Sequence, residues 1–237
     1  MKRRRLGQNY LTDSLVINKI IMSAEIQPHE RVLEIGTGNG ILTKELAHLG
    51  ASLEAYEIDQ KDFATTLKEL ENAANVIMHL GDAFKGTPRF DVLVSSLPYS
   101  RSASFVEWIA QIEYSRALVL LQEDFVTKII ANPGTRDYRA VSAIAQISSE
   151  FKVLTKVDRK SFSPQPRVTS LLVRVEPKRR MAGAEIVMVK RLFSLRRREV
   201  VSALAKLGMA SARKDYSKRR VYSLTPEEVS EICCNGN

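Results

Sequence analysis

The sequence predicts an α/β fold: a mostly parallel sheet, flanked by helices, with its ligand at the carboxyl ends of the strands. Three observations predict it. Short apolar runs alternate with helical patterns from Arg31 to Leu121, the pattern of βαβ units. The run Val32-Leu33-Glu34-Ile35 ends in Gly36-Thr37-Gly38-Asn39-Gly40, where the missing Cβ atoms let backbone come close to a ligand. Polar motifs then close successive strands at Glu57, Asp82 and Ser95-Ser96, where open α/β sheets bind ligands. Alone, the glycines also fit an ordinary strand–helix turn. Their spacing is G-x-G-x-G, not the G-x-G-x-x-G of dinucleotide folds. Glu34 suits a cationic or amine-bearing ligand better than a pyrophosphate, which prefers bare N–H groups.

Composition sets the class. Of 237 residues, 44% are hydrophobic and 27% charged, as in a soluble globular protein. No apolar run approaches the ~20 residues of a membrane span, and no signal-peptide core follows the basic Met1-Lys2-Arg3-Arg4-Arg5. Cys233 and Cys234 are adjacent and give neither a disulfide framework nor zinc spacing. His29, His48 and His79 are scattered, so no metal site is expected. A reducing, cytoplasmic compartment follows. The net charge is +9, and the segment from Glu176 onward holds 14 Lys/Arg against 7 Asp/Glu. Such a block fits a polyanion partner or a solvated helical surface.

In chain order, a helix is expected from Asp13 to Ala24, capped by Asp13 or Thr12. Arg31–Ile35 is the first strand, and the helix after it ends at Gly50. Ser52–Ile58 is the second strand, and its terminal Glu57 sits where such units hold ribose hydroxyls. A helix over Phe63–Asn72 leads to a third strand, Val76–Leu80, ending in Gly81-Asp82-Ala83. Phe90–Val94 is the fourth strand and Phe105–Ile112 a helix. Arg116–Leu121 is continuously apolar, as a buried central strand should be. Helices follow at Glu123–Ala131 and Arg139–Ser148, and strands at Glu150–Val157 and Val168–Val175. Composition changes at Pro177-Lys178-Arg179-Arg180, which divides the chain into a domain over 1–176 and a basic helical domain over 177–237. In the latter, one helix is expected from Glu185 to Leu207 and a short one from Pro226.

The pattern closes at Ser96-Leu97-Pro98-Tyr99. Together with Gly7-Gln8-Asn9-Tyr10-Leu11, Glu34-Ile35-Gly36-Thr37-Gly38, Glu57 and Gly81-Asp82-Ala83, the chain resembles the small-subunit ribosomal RNA adenine dimethyltransferases, the KsgA family. Further matches lie at Leu121-Gln122-Glu123, Phe162-Ser163-Pro164-Gln165-Pro166-Arg167-Val168 and Phe193-Ser194-Leu195-Arg196-Arg197-Arg198. The resemblance covers nearly the whole chain, in order. It implies a Rossmann-like S-adenosylmethionine methyltransferase sheet of seven strands, the last antiparallel, with a small α-helical C-terminal domain. It also implies N6-dimethylation of two adjacent adenosines in a hairpin near the 3′ end of small-subunit ribosomal RNA, coupled to ribosome assembly. The implied partner is that RNA in a pre-ribosomal particle, met by a monomer.

Carried over by position, Gln8, Asn9 and Leu11 lie at the methionine part of the cofactor. Gly36 and Gly38 give backbone access, Glu57 takes the ribose hydroxyls and Asp82 the adenine amine. Ser96 lies where cofactor and target base meet. Arg196, Arg197 and Arg198 would contact RNA.

The adenine N6 lone pair is delocalised into the ring and is a poor nucleophile. Two acceptors on its hydrogens, the Ser96 hydroxyl and the Leu97 carbonyl, would localise that pair toward the sulfonium methyl and favour the transition state. Pro98 stiffens the turn. Tyr99 and Phe162 offer faces for an extruded base, although buried aromatics of this kind are also ordinary core residues. The family has Asn at position 96 and this chain has Ser, which still accepts a hydrogen bond but is shorter. A catalytically weak or inactive paralogue acting as an RNA-binding assembly factor is therefore the alternative. A DNA adenine methyltransferase shares the chemistry of residues 96–99, but 61 residues are few for a sequence-reading domain. A nicotinamide-dependent oxidoreductase has neither the glycine spacing nor the residues.

Overall fold

A computed structural model describes residues 9–71, 73–209, 216 and 218–234. Gln8, and the Gly7 that precedes it, lie outside the described residues.

The chain opens with β1 (Tyr10–Leu11), α1 (Ser14–Ala24), β2 (Arg31–Ile35), α2 (Ile41–His48), β3 (Ser52–Glu57), α3 (Gln60–Glu69) and β4 (Val76–Leu80). It continues through β5 (Val92–Ser95), α4 (Ser102–Ile109), β6 (Arg116–Gln122), α5 (Glu123–Ile129), α6 (Ala140–Ser148) and β7 (Ser149–Val157). It finishes with β8 (Phe162–Ser163), β9 (Ser170–Pro177), α7 (Gly183–Ser194), α8 (Val200–Lys206) and α9 (Pro226–Cys234).

Seven strands form one sheet in the order β4-β3-β2-β5-β6-β9-β7. β4, β3, β2, β5 and β6 are parallel, and β9 runs antiparallel to β6. The strand order reverses direction at β2–β5, the switch point at which such sheets bind ligands. The centre is dry: Leu33, Leu93, Leu118 and Leu121 are fully buried. Continuous Val/Leu/Ile character is what a strand covered on both faces requires. Side chains cap the helices as their sequences allow. The Asp13 carboxylate accepts the Leu15 and Val16 N–H groups at 3.0 and 3.4 Å. Asp59, expected just past a strand end, caps α3 by accepting the Lys61 N–H at 2.9 Å.

The chain forms two compact units. The first comprises 1–105, 112–123 and 152–177; the second comprises 106–111, 124–151 and 178–237. The second unit thus takes in more than the C-terminal block. Its α6 carries buried Ala143, Ile144, Ala145 and Ile147 and packs against both α7 and α9. A helix that apolar needs cover on several sides.

One expectation needs correction here. The single helix over Glu185–Leu207 is two, α7 and α8, separated by residues 195–199. The backbone there has other partners: Tyr222 N–H donates to the Arg196 carbonyl, Val221 N–H to that of Arg198, and Val200 N–H to that of Arg219. A short strand also precedes α1. β1 pairs antiparallel with β8, setting Tyr10 opposite Ser163 and Leu11 opposite Phe162. A two-residue pairing between chain segments this far apart has no periodicity to reveal it.

Candidate active site

All of the site lies in the first unit, at the carboxyl ends of β2, β3, β4 and β5. Two backbone bonds align those ends: Gly36 N–H donates to the Tyr56 carbonyl at 2.8 Å, and Gly81 N–H to the Glu57 carbonyl at 2.7 Å. A single cleft is lined by Asn9, Leu11, Glu34, Gly36, Gly38, Glu57, Asp82, Ser96–Arg101 and Phe162. Every described cofactor or catalytic candidate from the sequence is therefore brought together. Among the described residues, no cluster of His, Cys, Asp and Glu is arranged to hold a metal ion.

The glycine turn forms the floor. Gly36, Gly38 and Gly40 have φ of +79°, +55° and +76°, the left-handed region that costs an ordinary residue roughly 1–2 kcal/mol. At Gly38 a Cβ would also stand 2.8 Å from the Tyr10 ring. Tyr10 is held there by its hydroxyl, which donates to Asp62 Oδ2 at 2.8 Å. Gly38→Ala is therefore expected to lower stability by about 2 kcal/mol, a fall in Tm of several degrees for a chain of this size. Thermal unfolding checks it, and an unchanged Tm would contradict the packing described.

Three carboxylates surround the turn. Glu34 is buried, and neither of its oxygens has a hydrogen-bond partner among the described residues; the buried Thr37 hydroxyl is likewise unpartnered. Burial pushes the Glu34 carboxyl up to about 8; the Thr43 hydroxyl beside it offsets part of this, and Glu57 adds to it. Glu57 is also buried, and its pKa is raised mainly by that burial. Its Oε1 accepts the Ile58 and Asp59 N–H groups at 2.8 Å, and its Oε2 the Gly38 N–H at 2.9 Å. Asp82 Oδ1 accepts the Phe84 N–H at 3.1 Å, and both Asp82 oxygens accept from Arg101 Nη2.

The loop after β5 faces these acids. Ser95 Oγ donates to the Ile35 carbonyl at 2.6 Å, tying β5 to β2. The neighbouring Ser96 hydroxyl lines the cleft and takes part in no hydrogen bond among the described residues. Pro98 lies over the glycine turn, its Cδ 3.5 Å from the position of a Cβ at Gly36. The Tyr99 hydroxyl is 2.7 Å from Ser170 Oγ, which anchors the ring from β9. Burial raises its pKa. Leu97 and Phe162 are 3% and 4% exposed, so each packs in the core while lining the cleft.

The arginines of the second unit differ from one another. Arg196 Nη1 donates to the carbonyls of Arg136 and Tyr138 at 3.1 and 3.0 Å, whereas Arg197 and Arg198 are exposed. Sequence reasoning treated the three alike. It also passed over Arg101 and Phe84, which carry no periodicity or spacing signal, and took Thr37 only as part of the glycine motif.

A ligand suited to this cleft presents positive charge to Glu34, a diol to Glu57 and an amine to Asp82. S-adenosylmethionine, with its ammonium, sulfonium, ribose and adenine, fits that donor set.

The family model for ribosomal RNA adenine dimethylases matches residues 1–231. The chain belongs to the ribosomal RNA adenine dimethylase family. A Pyrococcus abyssi relative, named probable ribosomal RNA small subunit methyltransferase A, is 34% identical over 241 residues, 96% of this chain and 89% of its own. The Thermotoga maritima ribosomal RNA small subunit methyltransferase A is 32% identical, over 97% and 84%. A dimethyladenosine transferase of Plasmodium falciparum superposes with a TM-score of 0.78 over 94% of this chain and 95% of its own, at 22% identity. The 23S rRNA methyltransferase ErmE gives 0.64 over 95% and 100%, at 24%. Those two likenesses speak to the fold, a Rossmann-like methyltransferase sheet. As a ribosomal RNA adenine dimethylase, the protein is an S-adenosylmethionine-dependent methyltransferase acting on adenine in ribosomal RNA.

Proposed function

We propose that this dimethylase methylates N6 of adjacent adenosines in a hairpin near the 3′ end of small-subunit ribosomal RNA. It does so as a cytoplasmic monomer on a pre-ribosomal particle, so that methylation is coupled to assembly. The observation that carries this reading is the open Ser96 hydroxyl, which lines one cleft with Tyr99, Phe162 and three carboxylates. The small-subunit names of the relatives support the choice of RNA. No described helix is long and apolar enough to cross a membrane.

When bound, S-adenosylmethionine supplies a methyl group on a sulfonium. Glu34 faces its positive charge, Gly36 and Gly38 admit its backbone-hugging end, and Asn9 and Leu11 close over the methionine part. Glu57 takes a ribose hydroxyl through the one acceptor position on Oε2 that its three backbone bonds leave. Asp82 takes the adenine amine. Ser96 Oγ and the Leu97 carbonyl accept the N6 hydrogens of the target base, which stacks on Tyr99 with Phe162 behind. The amine is thereby polarised along the transfer direction. No strong base is needed, because the methylated nitrogen is acidic and releases its proton to water. Methyl label from the cofactor should enter small-subunit RNA in an immature particle and not large-subunit RNA; equal labelling of both would overturn the substrate assignment.

Residues 177–237 act as the RNA-binding domain, and Arg197 and Arg198 contact phosphates. Replacing both with Gln is expected to lower the log–log salt slope of RNA binding by about 2, since each phosphate contact releases roughly one counterion. Arg196→Gln should instead lower stability, because its guanidinium holds two backbone carbonyls. Filter binding between low and moderate salt measures the slope. An unchanged slope would leave the block a solvated surface. The second reading, a catalytically quiet assembly factor, is favoured by Ser at position 96 alone.

A further inference from the structure

At the Asp82 end of the cleft, the geometry points to Arg101 as a positioning residue that holds the Asp82 carboxylate for the cofactor's adenine. This rests on the reading in which Asp82 takes the adenine amine. Arg101 Nη2 donates to Oδ1 at 2.8 Å and to Oδ2 at 2.7 Å. Its guanidinium lies over the Phe84 ring, 4.8 Å from the centroid. Phe84 in turn donates its N–H to Oδ1 at 3.1 Å. Residues 82–84 and 101 therefore form one closed unit on the rim. Arg101 is itself delivered by the turn after the catalytic loop, where its N–H donates to the Pro98 carbonyl at 2.8 Å.

A carboxylate offers about four acceptor positions. The Phe84 N–H takes one and Arg101 two, which leaves one on Oδ2, enough for one amine hydrogen. Without Arg101 the carboxylate is free to turn about its Cβ–Cγ bond and to bind water. Arginine, unlike lysine, combines a charged donor with a flat face that stacks on an aromatic ring. The arrangement selects a purine that donates at C6 over one that accepts there.

Titration calorimetry with S-adenosylhomocysteine tests this on the full chain. Asp82→Ala should weaken binding about tenfold or more, and Arg101→Ala about fivefold to tenfold. The double variant should match Asp82→Ala within about twofold, because Arg101 acts through Asp82. Arg101→Lys, which keeps the charge and most of the volume, should recover part of the loss and serves if the alanine variant fails to fold. Preference for S-adenosylhomocysteine over its inosine counterpart should fall in Arg101→Ala, which a merely structural role would not produce. Wild-type affinity in both Arg101 variants, with Asp82→Ala weakened, would overturn the Arg101 assignment alone. Wild-type affinity in Asp82→Ala would overturn the reading of Asp82. Additive losses in the double variant would mean that Arg101 acts independently of Asp82, which also overturns the proposal.

Discussion

Ser96→Ala is expected to slow methyl transfer about a hundredfold while leaving RNA affinity unchanged. Loss of one preorganised hydrogen-bonding partner costs about 10²–10³ in turnover at comparable sites. The lower end applies here because the Leu97 carbonyl survives the change. The substitution removes a hydroxyl with no structural partner among the described residues, so stability should hold. The adjacent Ser95 makes the contrast: its hydroxyl joins β5 to the Ile35 carbonyl, and Ser95→Ala should cost stability instead. Ser96→Asn should keep or raise turnover and shift product from monomethyl toward dimethyl adenosine. Single-turnover transfer on a small-subunit particle measures all of these. Equal rates for wild type and Ser96→Ala would remove Ser96 from the mechanism.

The second large effect belongs to Glu34. Its carboxyl titrates near the ordinary 4.5 in the unfolded chain and near about 8 in the folded, ligand-free protein. Below about pH 4.5 both states are protonated and nothing is lost. Between the two values the unfolded chain sheds the proton and the folded protein keeps it, so stability falls as pH rises. The full span corresponds to as much as about 5 kcal/mol, at 1.36 kcal/mol per unit. Glu34→Gln is neutral throughout and should remove most of this slope. A smaller slope of the same sign remains, because burial also raises Glu57. Urea unfolding of the ligand-free protein between pH 5 and 8.5 checks the sign. A cationic ligand beside Glu34 favours its ionised form, so wild type should prefer S-adenosylmethionine to S-adenosylhomocysteine, which lacks the sulfonium charge. Glu34→Gln should reduce that preference about tenfold. A pH-independent stability in wild type would contradict the burial of an unpartnered carboxyl.

Much of this was legible in the sequence, for identifiable reasons. A strand buried on both faces must be apolar throughout, so β2, β5 and β6 announced themselves. The acids at the ends of β2, β3 and β4 followed from the topology, because consecutive parallel strands deliver their ends to one edge. What escaped depends on contacts between distant parts of the chain. The β1–β8 pairing joins residues some 150 positions apart, and nothing in either dipeptide encodes it. The break between α7 and α8 is set by hydrogen bonds to residues 219–222, which override an uninterrupted helical pattern. The different fates of Arg196 and Arg197 turn on which carbonyls lie within reach. Arg101 reads as one more surface charge until Asp82 is seen beside it.

The most direct test of the central claim is nucleoside mass spectrometry of small-subunit RNA, taken from particles incubated with the protein and methyl-labelled S-adenosylmethionine. The account predicts labelled N6,N6-dimethyladenosine at two adjacent positions near the 3′ end, reduced about a hundredfold in early yield by Ser96→Ala. Unlabelled RNA with wild type, alongside labelled RNA with Ser96→Asn, would contradict it and make the natural protein a binding factor on a methyltransferase fold.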